Sequence, residues 1–363
     1  MFRNLPILIF AAGGFLAADD GSRDAGSWSK VSAAAYLDAR ATWWAGWPSA
    51  ARGNETFCIS CHTALPYALS RAALRESMGD KAPTGIERQL LDNVAKRVSL
   101  WEEIQPYYSD AKNGVPKTLE SRGTESVLNA LILATYDART GKLSATAKRA
   151  LDSMWAEQPK TGDTAGAIPW LQFHNAPWEG DSQFFGNTLA ALAAGSAPGN
   201  YRSTPEIQEH LKLLREYLVR EQASQKLIDR MMLLWACSKL PGWLPAKQMD
   251  AIRDAAFAQQ QPDGGFSLST LVGDWRRKDK TPLETKSDGY ATGVVAFTLL
   301  EAGVKRDEPR MQKALAWLEK NQEAEGRWLA YSLNKQRDLA SDAGKFMSDA
   351  ATAYAVLALT RPN

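Results

Sequence analysis

The sequence predicts an all-α fold, an (α/α)6 toroid of six helical hairpins. Three observations predict it. Helical periodicity runs through the chain in Ala-, Leu-, Glu-, Gln-, Lys- and Arg-rich segments, while period-2 alternation is rare. The chain resembles itself at a spacing of roughly 45 to 55 residues, the mark of a repeat architecture. In each pair of helices the second is apolar nearly all round, so it must be buried on every side. Six such inner helices ringed by six amphipathic outer ones make a closed ring. An open solenoid would need polar capping repeats, and the last apolar stretch, Ala350 to Leu359, has none.

The hairpins are expected at about 30–79, 88–140, 144–196, 205–240, 246–303 and 308–361. The last two are the clearest. One runs from Ala251 through Gln260, Gly264 and Phe266 to an apolar helix opened by Ser287-Asp288-Gly289-Tyr290. The other runs from Ala314 through Gln322, Gly326 and Trp328 to a helix opened by Ser348-Asp349-Ala350. The earlier hairpins carry looser versions, with Gly166, Trp170 and Trp178 between the helices of the third. Glu125, Asp181, Asp288 and Asp349 stand where a side-chain oxygen would cap an inner helix.

Gln322-x-x-x-Gly326-x-Trp328, and Gln260-x-x-x-Gly264-x-Phe266 with Phe in the aromatic place, match the repeat of the squalene–hopene and oxidosqualene cyclases. The chain resembles the toroid superfamily of terpenoid cyclases and protein prenyltransferases, clearly over 245–361 and faintly over 30–240. The resemblance implies that Gln260, Phe266, Gln322 and Trp328 tie neighbouring helices together. It does not extend to the chemistry of those enzymes. The D-x-D-D acid motif and the D-D-x-x-D motif are both missing, and no His follows His210 to complete a zinc set.

The N-terminus has the layout of a secretory signal. A basic start at Met1-Phe2-Arg3 leads to an apolar run from Leu5 to Leu16 and a small-residue site at Ala17-Ala18. Residues 1–18 are therefore expected to be a signal peptide, with a toroid domain over 19–363 in the periplasm or outside the cell. The run is too short for a membrane span, which takes about 20 residues, and the chain is not expected to be an integral membrane protein. The formal net charge of +2 gives no electrostatic footing for nucleic acid.

Cys58-Ile59-Ser60-Cys61-His62 reads C-x-x-C-H, the attachment signature of a c-type haem. Two of the three cysteines and one of the three histidines fall in these five residues. Cys58 and Cys61 are the expected thioether positions for one covalent haem c, with His62 as proximal iron ligand. A disulfide or a reducible dithiol is the competing reading. By repeat register the motif sits where a later unit places Asp288-Gly289-Tyr290, at the start of an inner helix and one mouth of the ring. Pro66, lacking an N–H, suits the first turn of that helix.

His174 is the candidate distal ligand, with a surface histidine as the plainer reading. Met78 and Met154 are further sulfur candidates, though core filling is the commoner role. His210 and Cys237 read as packing residues. The charged stretch from Asp274 to Lys280 reads as a solvated loop, or as a dock for an acidic redox partner.

Three functions compete at this level. The first is an exported haem protein with an electron-transfer or redox role and a redox partner protein. The second is a terpenoid cyclase-like enzyme. The third is a module that holds an apolar small molecule in the toroid cavity, with Cys58 and Cys61 as a disulfide. Trp43, Trp44 and Trp47, just upstream of the motif, would flank a porphyrin or bury the first outer helix.

Overall fold

The computed structural model describes residues 28–175, 177–180 and 183–362. The expected signal peptide and the cap expected at Asp181 lie outside them. The helices are α1 (Lys30–Gly46), α2 (Ala64–Ser77), α3 (Gly85–Ser99), a short α4 (Asp110–Asn113), α5 (Lys117–Ala138), α6 (Ala145–Ala156) and α7 (Phe184–Ser196). They continue with α8 (Gln208–Glu221), α9 (Leu227–Lys239), α10 (Ala246–Phe257), a short α11 (Leu268–Val272), α12 (Gly289–Glu301), α13 (Pro309–Lys320) and α14 (Phe346–Thr360). The fold is all-α, and six hairpins fall at the expected places. Two-residue strands β1 (Ala51–Arg52) and β2 (Thr56–Phe57) form a small antiparallel ribbon just before the cysteine motif.

The inner helices close a ring. α2 packs on α5, α5 on α7, α7 on α9, α9 on α12, α12 on α14, and α14 returns to α2. Every residue from Phe184 to Ala194 in α7 and from Gly289 to Leu300 in α12 is buried. Outer helices bury one stripe only. In α13 that stripe is Met311, Ala314, Leu315 and Leu318, spaced i, i+3, i+4 and i+7. Each large side chain in it contributes about 2 kcal/mol by leaving water. Among the described residues, no helix is long and apolar enough to cross a membrane.

The glutamine motif joins consecutive outer helices. Gln322 Nε2 donates to the carbonyl of its own turn at Gly326 (3.0 Å) and to the carbonyl of Ser29 (3.0 Å), and its Oε1 accepts from Ser29 N (2.7 Å). Ser29 caps α1, so this glutamine fastens the sixth hairpin to the first. Gln260 does the same for the next helix along, donating to Gly264 O (2.8 Å) and Arg310 O (2.7 Å). A third copy, hidden by a longer turn, is Gln158, which donates to Gly166 O (3.0 Å) and His210 O (3.1 Å). His210 itself bonds Gln158 and stacks on Trp155, so its expected packing role holds. Trp328 and Phe266 are fully buried, and Trp328 Nε1 donates to Leu318 O (2.7 Å).

Gly326 has φ +97, and a Cβ there would lie 2.1 Å from the carbonyl oxygen of Ser32. The turn needs both the left-handed backbone and the absent side chain. Gly326→Ala is expected to cost about 3 kcal/mol, from overpacking added to backbone strain. Gly114→Ala, at φ +67 with open space around it, is expected to cost about 1 kcal/mol. Chemical denaturation of both variants checks this, and equal losses would contradict the contact at Ser32.

Candidate functional site at the mouth of the ring

The start of α2 is built by its flanks. Asn54 and Glu55 take positive φ to turn the β1–β2 ribbon. Asn93 of α3 then holds Phe57 by both backbone groups, at 2.9 and 3.0 Å. Cys58 N donates to Ala50 O (2.8 Å), and Trp44 Nε1 donates to Cys58 O (2.7 Å). Ser60 Oγ accepts from the N–H of Thr63 (3.3 Å) and of Ala64 (3.0 Å), capping the first turn. Pro66 sits in that turn as expected.

Cys58, Cys61 and His62 face one cavity of about 270 Å³ at the end of the ring where the inner helices begin. Its aromatic walls include Trp44, Trp47, Tyr107, Tyr108, Trp178 and Phe346. Both thiols are free, so the disulfide alternative is corrected. Burial pushes the Cys58 thiol up to about 12 and raises Cys61 as well. Cys61 is buried and Cys58 half-buried, and loss of solvation keeps both protonated and poor as nucleophiles.

The His62 ring is held on several sides. It stacks on Phe346 with centroids 3.8 Å apart and meets Trp44 edge-on at 4.9 Å. Its Nδ1 lies 2.8 Å from Thr63 Oγ1. Burial, with Arg40 and Arg337 adding repulsion, lowers its pKa to about 3, so the imidazole is neutral.

His174 does not join this cavity. It is exposed, has φ +58, and stacks on Trp275 with centroids 4.4 Å apart. The structure therefore does not bring the distal candidate to His62. Met347, which no sequence signal singled out, lines the cavity instead, while Met154 is buried in the core. Cys237 is buried as expected.

Two carboxylates complete the cavity wall. Glu179 lies in the loop before α7, where Asn175 Nδ2 donates to it at 3.2 Å. Burial raises its carboxyl to about 7. Glu125 was expected to cap a helix. α5 instead starts at Lys117, so Glu125 is two turns inside it and projects from its wall. The Arg97 guanidinium forks onto both Glu125 oxygens, at 2.6 and 2.8 Å. Asp349 is likewise not a cap, because α14 begins at Phe346. Asp288 is one, accepting from Tyr290 N (3.0 Å) and Ala291 N (2.9 Å), with burial raising it to about 7. The stretch from Asp274 to Lys280 is less solvated than expected. Trp275 and Arg277 are buried, and Arg277 Nε donates to Ser332 O (2.8 Å) across the mouth.

No family model and no curated protein matches the chain. Among solved structures it is similar to a wild-type glycosidase and to a glycosidase in complex with glucose, at 13% and 14% identity. Both alignments cover 90% of this chain and 95% of the other, with a TM-score of 0.49. None of these comparisons supports the electron-carrier reading or the cyclase-like and apolar-binding alternatives, and those readings are corrected and set aside. A likeness this distant assigns no activity in their place.

Glu179 has a definite signature in stability. Its folded pKa of about 7 lies above its ordinary value near 4.5. Between those values the native state holds a proton that the unfolded chain has released, so this residue's contribution falls as pH rises through the window. Glu179→Gln removes the titration. The variant is expected to be more stable than wild type at pH 8, on the order of 2 kcal/mol, and to lose that advantage by pH 4.5. Urea denaturation at the two pH values reads the difference.

Proposed function

We propose that the mouth cavity is a hydrolytic site that cleaves a glycosidic bond by carboxylate acid–base chemistry. The observation that carries this reading is a pair of carboxyl groups in opposed settings on one aromatic-walled cavity. Burial keeps Glu179 protonated near neutrality, whereas Glu125 sits in an ion pair with Arg97. Such a split assigns the roles of acid and base. Glu179 donates its proton to the departing glycosidic oxygen as the bond from that oxygen to the anomeric carbon breaks. Glu125 takes a proton from the water that attacks the same carbon. Trp44, Trp47 and Trp178 offer flat apolar faces to a sugar ring, and Arg337 offers a cation to an acidic substituent. The aligned glycosidases carry a name of this type, but the proposal rests on the residues of the cavity.

Glu179→Gln is expected to lower kcat by at least about 100-fold. In the wild type, activity should decline above pH 7 as Glu179 loses its proton. Release of reducing ends from a panel of oligosaccharides and aryl glycosides tests the reading. No turnover on any member, or a Glu179→Gln variant as active as wild type, would contradict it.

The cofactor stands as a separate proposal, one haem c on Cys58 and Cys61. Two free thiols and a neutral imidazole face the same cavity, and that donor set fits the group. Each thioether would form by adding S–H across a vinyl group, with no atom lost and no oxidant consumed. His62 would then supply a nitrogen to the iron. Haem and a sugar would compete for the cavity, so the two readings exclude each other. Export of the chain past residue 18 is proposed with both. Protein secreted by a host able to ligate haem is expected, on the cofactor reading, to keep a Soret band through acid–acetone extraction. Colourless protein overturns that reading and leaves the hydrolytic one standing.

A further inference from the structure

The imidazole of His62 belongs to a hydrogen-bonded chain that crosses the seam of the ring. Asp349, in the first turn of α14, accepts from Tyr36 OH (2.8 Å) and Arg40 Nε (2.8 Å) on α1. Its second oxygen, Oδ2, accepts from Thr63 Oγ1 at 2.7 Å. Asp349, Arg40 and Thr63 are all buried. The Arg40 guanidinium carries a permanent positive charge, and its other nitrogens hold the side chain and backbone of Asp342 at 2.8 and 2.9 Å. Burial raises the Asp349 carboxyl from its ordinary value while Arg40, Thr63 and Tyr36 pull it down, and with donors on both of its oxygens it is the acceptor of the cluster.

A threonine hydroxyl has one hydrogen to give. Thr63 gives it to Asp349, so its oxygen can only accept from His62. The neutral imidazole must then carry its proton on Nδ1, which leaves a lone pair on Nε2. A half-turn of the ring would put Cδ2 in the place of Nδ1 and lose the 2.8 Å contact with Thr63, so that hydrogen bond also fixes the ring's orientation.

We propose that Asp349 and Thr63 are positioning residues that lock His62 in the Nδ1–H tautomer and make Nε2 a fixed electron-pair donor of the mouth cavity. This rests on reading that cavity as the functional site. The ligand chemistry it selects is an electron-pair acceptor, a hydroxyl hydrogen of a sugar or a metal centre. The last hairpin thereby sets the chemistry of a residue in the first, and only a closed ring brings them together.

The tautomer is read without any substrate or cofactor, by long-range proton–nitrogen correlation on protein with 15N-labelled histidine. The His62 resonances are identified by their loss in His62→Gln. The expected result is a pyrrole-type shift at Nδ1 and a pyridine-type shift at Nε2. Thr63→Val, which keeps the shape and removes the hydroxyl, is expected to shift the population toward Nε2–H, and Thr63→Ser to restore the wild-type pattern. An Nε2–H tautomer in the wild type, or a Thr63→Val spectrum unchanged at His62, would overturn the proposal. Inactive protein with the expected tautomer would count against the hydrolytic reading alone. A Thr63→Val chain that fails to fold leaves the wild-type spectrum and Thr63→Ser to decide.

Discussion

A single buried carboxylate joins the two ends of this ring. Asp349 takes hydrogen bonds from an outer helix, α1, and from the first turn of an inner helix, α2, while standing on the last helix of the chain. A carboxylate taken out of water is costly unless charge and hydrogen bonds surround it. Here an arginine, a tyrosine and a threonine surround it, and all three become available only when the first and sixth hairpins meet. Leaving Asp349 without those partners would bury an uncompensated charge, so the closed ring is the state in which the sequence is self-consistent. Gln322 and Gly326 secure the same seam at the other end of α1.

The seam also explains why the site lies where it does. Phe346 and Met347 open α14, the cysteine motif precedes α2, and Trp44 comes from α1, so three elements of the closure supply one side of the cavity. The opposite side comes from α5 and the loop before α7, which bring Glu125 and Glu179. Closure brings the two sides together at one mouth. A half-buried, neutral histidine and a raised carboxyl follow from the same fact, because walls that exclude water penalise charge on any group not directly paired.

Much of the architecture was legible in the sequence. The glutamine–glycine–aromatic motif marked the last two hairpins because its geometry leaves so little freedom. The turn must be left-handed, the next helix passes within contact, and the ring fills the space behind. Gln158 plays the same part, but its glycine lies eight residues on instead of four, and a fixed-spacing pattern passes over it. Gly123 stands two residues before Glu125. It lies inside α5, where a side chain would meet the carbonyl of Pro169 at 2.1 Å. A glycine needed for close approach looks the same in sequence as one that breaks a helix, and that ambiguity displaced Glu125 from wall to cap. Glu179 carried no sequence signal at all, since its importance comes from burial that only the assembled ring creates. The position of the cysteine motif at an inner-helix start followed from repeat register, whereas the absence of His174 from the cavity depended on a loop path that register does not determine.

Native-state hydrogen exchange tests the central claim most directly, that closure through Asp349 makes the first and last hairpins one cooperative unit. Slow amides of α1, α2 and α14 are predicted to share one opening free energy and to lose protection together as denaturant is raised. An α1 that opens on its own, well below the free energy of α14, would contradict the account.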